Sequence, residues 1–147
     1  MKIFDANIFT KNHLINFFER WIDNINDDIV MNSSFIYDYD INKIIGTISF
    51  EEFGEYGLIR YCIFKRDIDF EELFEHIIEK ARAKGIRTLV AFLVKPEAID
   101  LFDSVGFQYV NNNNVFIGDR NIKDTDFKDA TVLKKNIDER IILWKTK

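Results

Sequence analysis

The chain is short of the residues that staple, break or loosen a fold. It has a single cysteine, Cys62, and so no internal disulfide. With no Cys/His cluster around it, a structural zinc site is also excluded, and the chain fits a reducing compartment. There is one proline and there are only six glycines, with no Pro-, Ser- or Gly-rich linker, so 147 residues with 47% hydrophobic content read as one domain with a substantial core. Positive charge is also in deficit: 25 acidic against 20 basic side chains leave a net charge of −5. Without a basic stripe interleaved with aromatics, nucleic acid is not an expected partner, and an amine or other cationic substrate suits the field better. No apolar run reaches the roughly 18 residues of a membrane span, and the start MKIFDANIFT lacks a basic segment followed by an apolar one. No membrane association and a cytoplasmic location are therefore expected.

What is present is periodic. Lys2 to Phe9 mixes apolar and polar residues as a first strand would. Thr10 stands where an N-cap would, and Leu14, Phe17, Phe18, Trp21, Ile22 and Ile25 recur at helical offsets. The cluster Asp23, Asn24, Asn26, Asp27 and Asp28 favours turns and reads as a loop, serving either solubility or attraction of a cationic substrate. From Ser34 to Phe50 the period is two, with turn residues at Asp40 to Asn42, and a second turn at Phe53 to Gly57 leads into Leu58 to Phe64. Three consecutive antiparallel strands are expected.

The clearest element follows. Phe70, Leu73, Phe74, Ile77, Ile78 and Ala81 form an apolar stripe opposite a charged face, Asp69 with Glu72 has the spacing of a capping box, and Gly85 supplies a left-handed stop. His76 and His13 read as surface residues. Leu89 to Val94 is a continuous apolar run, expected to be a strand buried on both faces and parallel to the one before the helix. Pro96 opens a short helix that Gly106 ends. Gln108 to Val110, Val115 to Ile117 and Ala130 to Leu133 look extended, with Asn111 to Asn114 a turn, and Ile141 to Trp144 is an apolar patch for docking on the sheet or on a second subunit, as in a homodimer.

This order of elements, with Glu79-Lys80-Ala81-Arg82-Ala83-Lys84-Gly85-Ile86 and Ala98-Ile99-Asp100-Leu101-Phe102-Asp103-Ser104-Val105-Gly106-Phe107, resembles the GNAT superfamily of acyl-CoA-dependent N-acetyltransferases. The resemblance implies an α/β (α+β) fold: one mixed, mostly antiparallel sheet with a splayed parallel central pair, flanked by about three helices. It also implies acetyl-CoA as co-substrate, no metal, and a small-molecule or protein amine as acceptor. Pantetheine would insert between the strands around Cys62, Ile63, Phe64 and Lys65 and around Val94 and Lys95, with Lys65 and Arg66 left to reach phosphate.

Two departures stand out. Lys65 to Phe70 carries no glycine where the family gathers amides around a pyrophosphate, and it contains Asp67 and Asp69. Phe102 occupies the position where relatives place a proton-donating tyrosine. Tyr61 and Tyr109 are the substitutes, and Glu51 or Glu52 the general base that the central strand lacks. Two alternatives to an N-acetyltransferase stay open: a catalytically degenerate binding or dimerisation module, and an acyltransferase using a non-CoA donor such as an acyl-carrier protein.

Overall fold

Alternating apolar residues and two tight turns build the centre of the sheet. A computed structural model describes residues 2–110, 116–117, 120–121 and 129–138. In it β2 (Ser33–Asp38), β3 (Lys43–Phe53) and β4 (Tyr56–Ile63), numbered in chain order after a first strand β1 (Lys2–Asp5), run antiparallel. Gly54 sits at φ 61° in the second turn, a left-handed conformation that glycine adopts without Cβ strain. Strand β1 pairs antiparallel with the outer edge of β2. It is shorter than Lys2 to Phe9, because Asn7 Oδ1 accepts from the amides of Phe9 (2.8 Å) and Thr10 (3.0 Å) and turns the chain. The Thr10 side chain makes no N-cap bond to helix α1 (Lys11–Phe18), since its hydroxyl is occupied by Asn7.

Helix α1 stops at Phe18, well before Ile25, and a second helix forms where a loop was expected. This is α2 (Asp27–Met31). Asn26 is its N-cap: Oδ1 accepts from the amides of Asp28 (2.8 Å) and Ile29 (3.2 Å), while Asp27 and Asp28 complement the dipole of the first turn. The helix is anchored by the burial of Ile29 and Val30. A polar cluster that looks like a turn is thus partly a capping signal.

The unit after β4 forms as expected. Helix α3 (Asp67–Ala83) buries Phe70, Leu73, Phe74, Ile77 and Ala81 and ends before Gly85 at φ 83°. Strand β5 (Thr88–Leu93) is parallel to β4, and Pro96 starts α4 (Pro96–Ser104). Strands β6 (Gln108–Tyr109) and β9 (Thr131–Asn136) complete the order β1-β2-β3-β4-β5-β9-β6, with β9 antiparallel to both neighbours. Two further strands, β7 (Phe116–Ile117) and β8 (Arg120–Asn121), form a separate ribbon. The sheet is therefore mixed and mostly antiparallel with one parallel pair, as expected, but four helices rather than three occur among the described residues.

Two apolar layers sandwich this sheet. On one face α3 and α4 pack on β1 to β5 and β9; on the other α1 and α2 cover β1 to β4. Only Leu89 and Ala91 of β5 are fully buried, the rest of the strand being half-buried, and among the described residues the second layer stops at β4. Full burial on both faces, expected from the apolar run, is corrected to full burial on one and half-burial on the other. None of the described helices is long and apolar enough to cross a membrane. The expected turn Asn111 to Asn114 and docking patch Ile141 to Trp144 lie outside the described residues.

Candidate active site

The parallel pair opens as it runs. β4 and β5 are registered at Tyr56↔Thr88, Gly57↔Leu89 and Leu58↔Val90, yet the strands continue to Ile63 and Leu93 without pairing further with each other. A cavity of about 280 Å³ lies between the diverging ends. Tyr61, Cys62 and Phe64 line one wall, Phe92 and Leu93 the other, and Ala98, Leu101 and Phe102 of α4 close it.

The divergence has a local cause. Thr47 pairs with Ile63 and Ser49 with Arg60, so Tyr61 and Cys62 together oppose the single residue Ile48. Such a bulge bends and twists its strand, which turns the end of β4 away from β5. Tyr61 takes up the distortion at φ 38°, unfavourable for a bulky L-residue. Its surroundings hold it there: the ring packs on Phe18 at 5.0 Å, and the hydroxyl accepts from the amide of Asn26 at 2.9 Å. Over-determined strain of this kind gathers at functional sites. The α2 cap and the bulge are thereby joined.

Charge at the cleft is sparse. Arg60 donates to Glu51 Oε1 at 2.6 Å and lies 5.8 Å from the centre of the Tyr61 ring. Burial pushes the Cys62 thiol up from 9.0 to about 12, which disfavours its thiolate at neutral pH. A thiol reagent at pH 8 is expected to modify folded protein far more slowly than urea-unfolded protein; equal rates would contradict this.

At the mouth of the cleft the chain passes through Phe64 and Lys65 into α3. The helix begins three residues earlier than a capping box at Asp69 requires: the N-cap is Arg66, and its side chain makes no cap bond. Asp69 is instead buried in the first turn and accepts the Arg66 guanidinium on both oxygens, at 3.2 Å from Nε and 2.6 Å from Nη2. The capping box is therefore corrected to an ion pair between the exposed Arg66 and the buried Asp69. Val94 and Lys95 are exposed at the end of β5, and Lys95 is the N-cap of α4.

The anticipated site residues thus separate into groups. Cys62, Phe64 and Phe102 line the cleft; Tyr61 borders it while its ring packs, with Ile63, into the opposite apolar layer; Lys65, Arg66, Val94 and Lys95 rim the mouth. Glu51 and Glu52 line a second cavity of about 280 Å³ with Asp28, Asn32 and Lys84. There Glu52 accepts from Asn32 Nδ2 at 3.1 Å, and Lys84 Nζ lies 3.8 Å from it. Tyr109 is exposed on β6. Sequence reasoning missed Arg60, whose partner lies across the sheet, and the α4 residues Ala98 and Leu101, whose spacing is equally that of ordinary core.

A mixed sheet whose one parallel pair splays beside a bulged strand, with a helix crossing between the two strands, defines the GNAT fold. Known structures agree. The chain superimposes on N-acetylglutamate synthase from Neisseria gonorrhoeae, complexed with coenzyme A and L-arginine, with a TM-score of 0.66 and 19% identity over 92% of its length, and spans 32% of that protein. Against aminoglycoside 6′-acetyltransferase type Ii the TM-score is 0.66 at 17% identity, covering 96% of this chain and all (100%) of the other. A GNAT-family acetyltransferase from Staphylococcus aureus gives 0.65 at 13% identity, covering 92% and 98%. No protein-family model and no curated protein matches the sequence. This chain has the GNAT fold, with a first turn of α3 built around an internal ion pair.

Proposed function

We propose that the protein is an N-acyltransferase that takes an acetyl thioester, supplied by acetyl-CoA, into the β4/β5 cleft and passes the acetyl group to an amine. The observation that carries this reading is the end of the parallel ladder at Leu58↔Val90 while both strands run on. Strand edges that diverge beyond this ladder offer main-chain donors and acceptors to an amide-containing arm, and the apolar walls suit its alkyl portions. In the reaction the amine nitrogen bonds to the thioester carbonyl carbon, the carbon–sulfur bond breaks, and the thiolate leaves. The amine loses a proton and the thiolate gains one. Backbone N–H groups of the bulged segment are suited to polarise the carbonyl oxygen. Glu51, which lines the second cavity and is held by Arg60 of the cleft wall, is proposed as the base, and Tyr61, whose hydroxyl accepts from the amide of Asn26, as the acid.

The test is release of CoA thiol from acetyl-CoA across a panel of small amines, polyamines and lysine peptides. Turnover above the enzyme-free rate with at least one amine is the expected result; no turnover and no thioester binding would refute the proposal. A second reading, a non-catalytic thioester-binding module, is favoured by Phe102, which lines the cleft without a hydroxyl. Binding without turnover would select it.

A further inference from the structure

The mouth of the cleft does not have the backbone of an anion cradle. Gathering successive amides around a phosphate requires a turn in which right- and left-handed residues alternate. No residue from Cys62 to Lys84 has positive φ, and Arg66, at the junction, is extended at φ −124° and ψ 147°. The amides at the start of α3 therefore point along the helix rather than converging. Charge at this end is partly self-contained as well. Two donors of the Arg66 guanidinium, which is itself exposed, are taken by the Asp69 carboxylate, only 2% exposed. Asp67 adds an exposed negative charge to the same turn, opposing the helix dipole's attraction for an anion.

The residues facing outwards here are apolar. Ile68 is 50% exposed on the first turn of α3 and Val94 is 79% exposed at the end of β5. Lys65 and Lys95 are exposed cations, and attraction through solvent at such positions is weak. Inside, by contrast, the cleft offers what an uncharged alkyl-amide arm needs: the diverging main chains of β4 and β5 and the apolar walls of Phe64, Leu93 and Leu101.

We propose that the site recognises the pantetheine thioester arm alone and does not read the nucleotide end of CoA, so that the donor class is any acyl-pantetheine thioester, free or carried on a protein. This rests on the acyltransferase reading and narrows its donor.

The proposal is tested by titrating the full chain calorimetrically, in the absence of acceptor, with acetyl-CoA and with acetyl-pantetheine, and by competing acetyl-pantetheine with adenosine 3′,5′-bisphosphate. Dissociation constants within about fivefold of one another, and no competition, are expected, since one charge-assisted bond to phosphate would separate the two thioesters by about tenfold or more. Acetyl-CoA binding more than about fivefold tighter, or displacement by the bisphosphate, overturns the inference and leaves the acyltransferase reading intact. Failure of both thioesters to bind overturns both. If the affinities match, turnover of an acetyl-phosphopantetheinyl carrier protein against acetyl-pantetheine separates the sources: faster transfer from the carrier assigns a protein-borne donor, and equal or slower transfer a free one.

Discussion

Ala98→Phe is expected to lower thioester turnover by about a hundredfold or more while shifting the melting temperature by only a few degrees. Ala98 is half-buried on α4, and its methyl group faces the cavity of about 280 Å³ between β4 and β5. That volume is at the lower end of small-molecule sites, roughly 300 Å³ upwards, so a benzyl group has no space to enter except the space the arm would use. Overpacking a closed core costs about 1–3 kcal/mol, whereas a ring turned into an open cleft displaces no packed neighbour and stays near the bottom of that range. Loss of binding measured by calorimetry, with an unchanged urea m-value, is the expected pair of results. Undiminished turnover in a folded variant would show that chemistry happens elsewhere, the cavity around Glu52 and Asp28 being the next place to look.

How far the sequence revealed this arrangement differs from element to element, for identifiable reasons. Helix α3 was legible because stripe, stop glycine and length all point the same way, and α4 because Pro96 and Gly106 bracket it. Two acceptors were misassigned in the same manner. Asn26 and Asp69 both sit in polar runs where several side chains could cap, and the choice is made by partners distant in sequence or in conformation. For Asn26 it is the burial of Ile29 and Val30. For Asp69 it is Arg66, which takes the carboxylate once the helix starts at Asp67. The splay was expected only through the family resemblance. Its physical cause, a bulge at Tyr61 and Cys62, carries no glycine or proline signal, since a tyrosine occupies the left-handed position and is held there by Phe18 and Asn26. The pairing of Arg60 with Glu51 depends on strand register, which a sequence does not display.

Phe70→Ala is expected to destabilise the fold by about 3–5 kcal/mol, a large part of the roughly 5–15 kcal/mol that holds a domain together. Phe70 has no exposed surface, and its ring lies 5.3 Å from Phe64, 5.6 Å from Phe74 and 5.0 Å from Phe102. Phe74 and Phe102 in turn both contact Phe107, at 5.5 and 5.0 Å. Rigid rings fixed by other rings collapse poorly into a void, which puts the cost towards the upper end of the range, and three lost aromatic contacts add about 0.5–1.5 kcal/mol each to what area alone gives. Urea unfolding should therefore show a much lower midpoint with the same slope, and Phe70→Leu, which refills most of the space, a markedly smaller loss. A change below about 1 kcal/mol for Phe70→Ala would mean the aromatic cluster is not the keystone of the α3 layer. The substitution also reaches the cleft, because Phe64 and Phe102 line it and rest on Phe70. Thioester affinity should fall even at temperatures where the variant is folded, through walls that have lost their support rather than through a lost contact with the arm. Ala98→Phe and Phe70→Ala thus separate the two duties of one aromatic layer: the first removes binding from a stable protein, the second removes stability and loosens binding as a consequence.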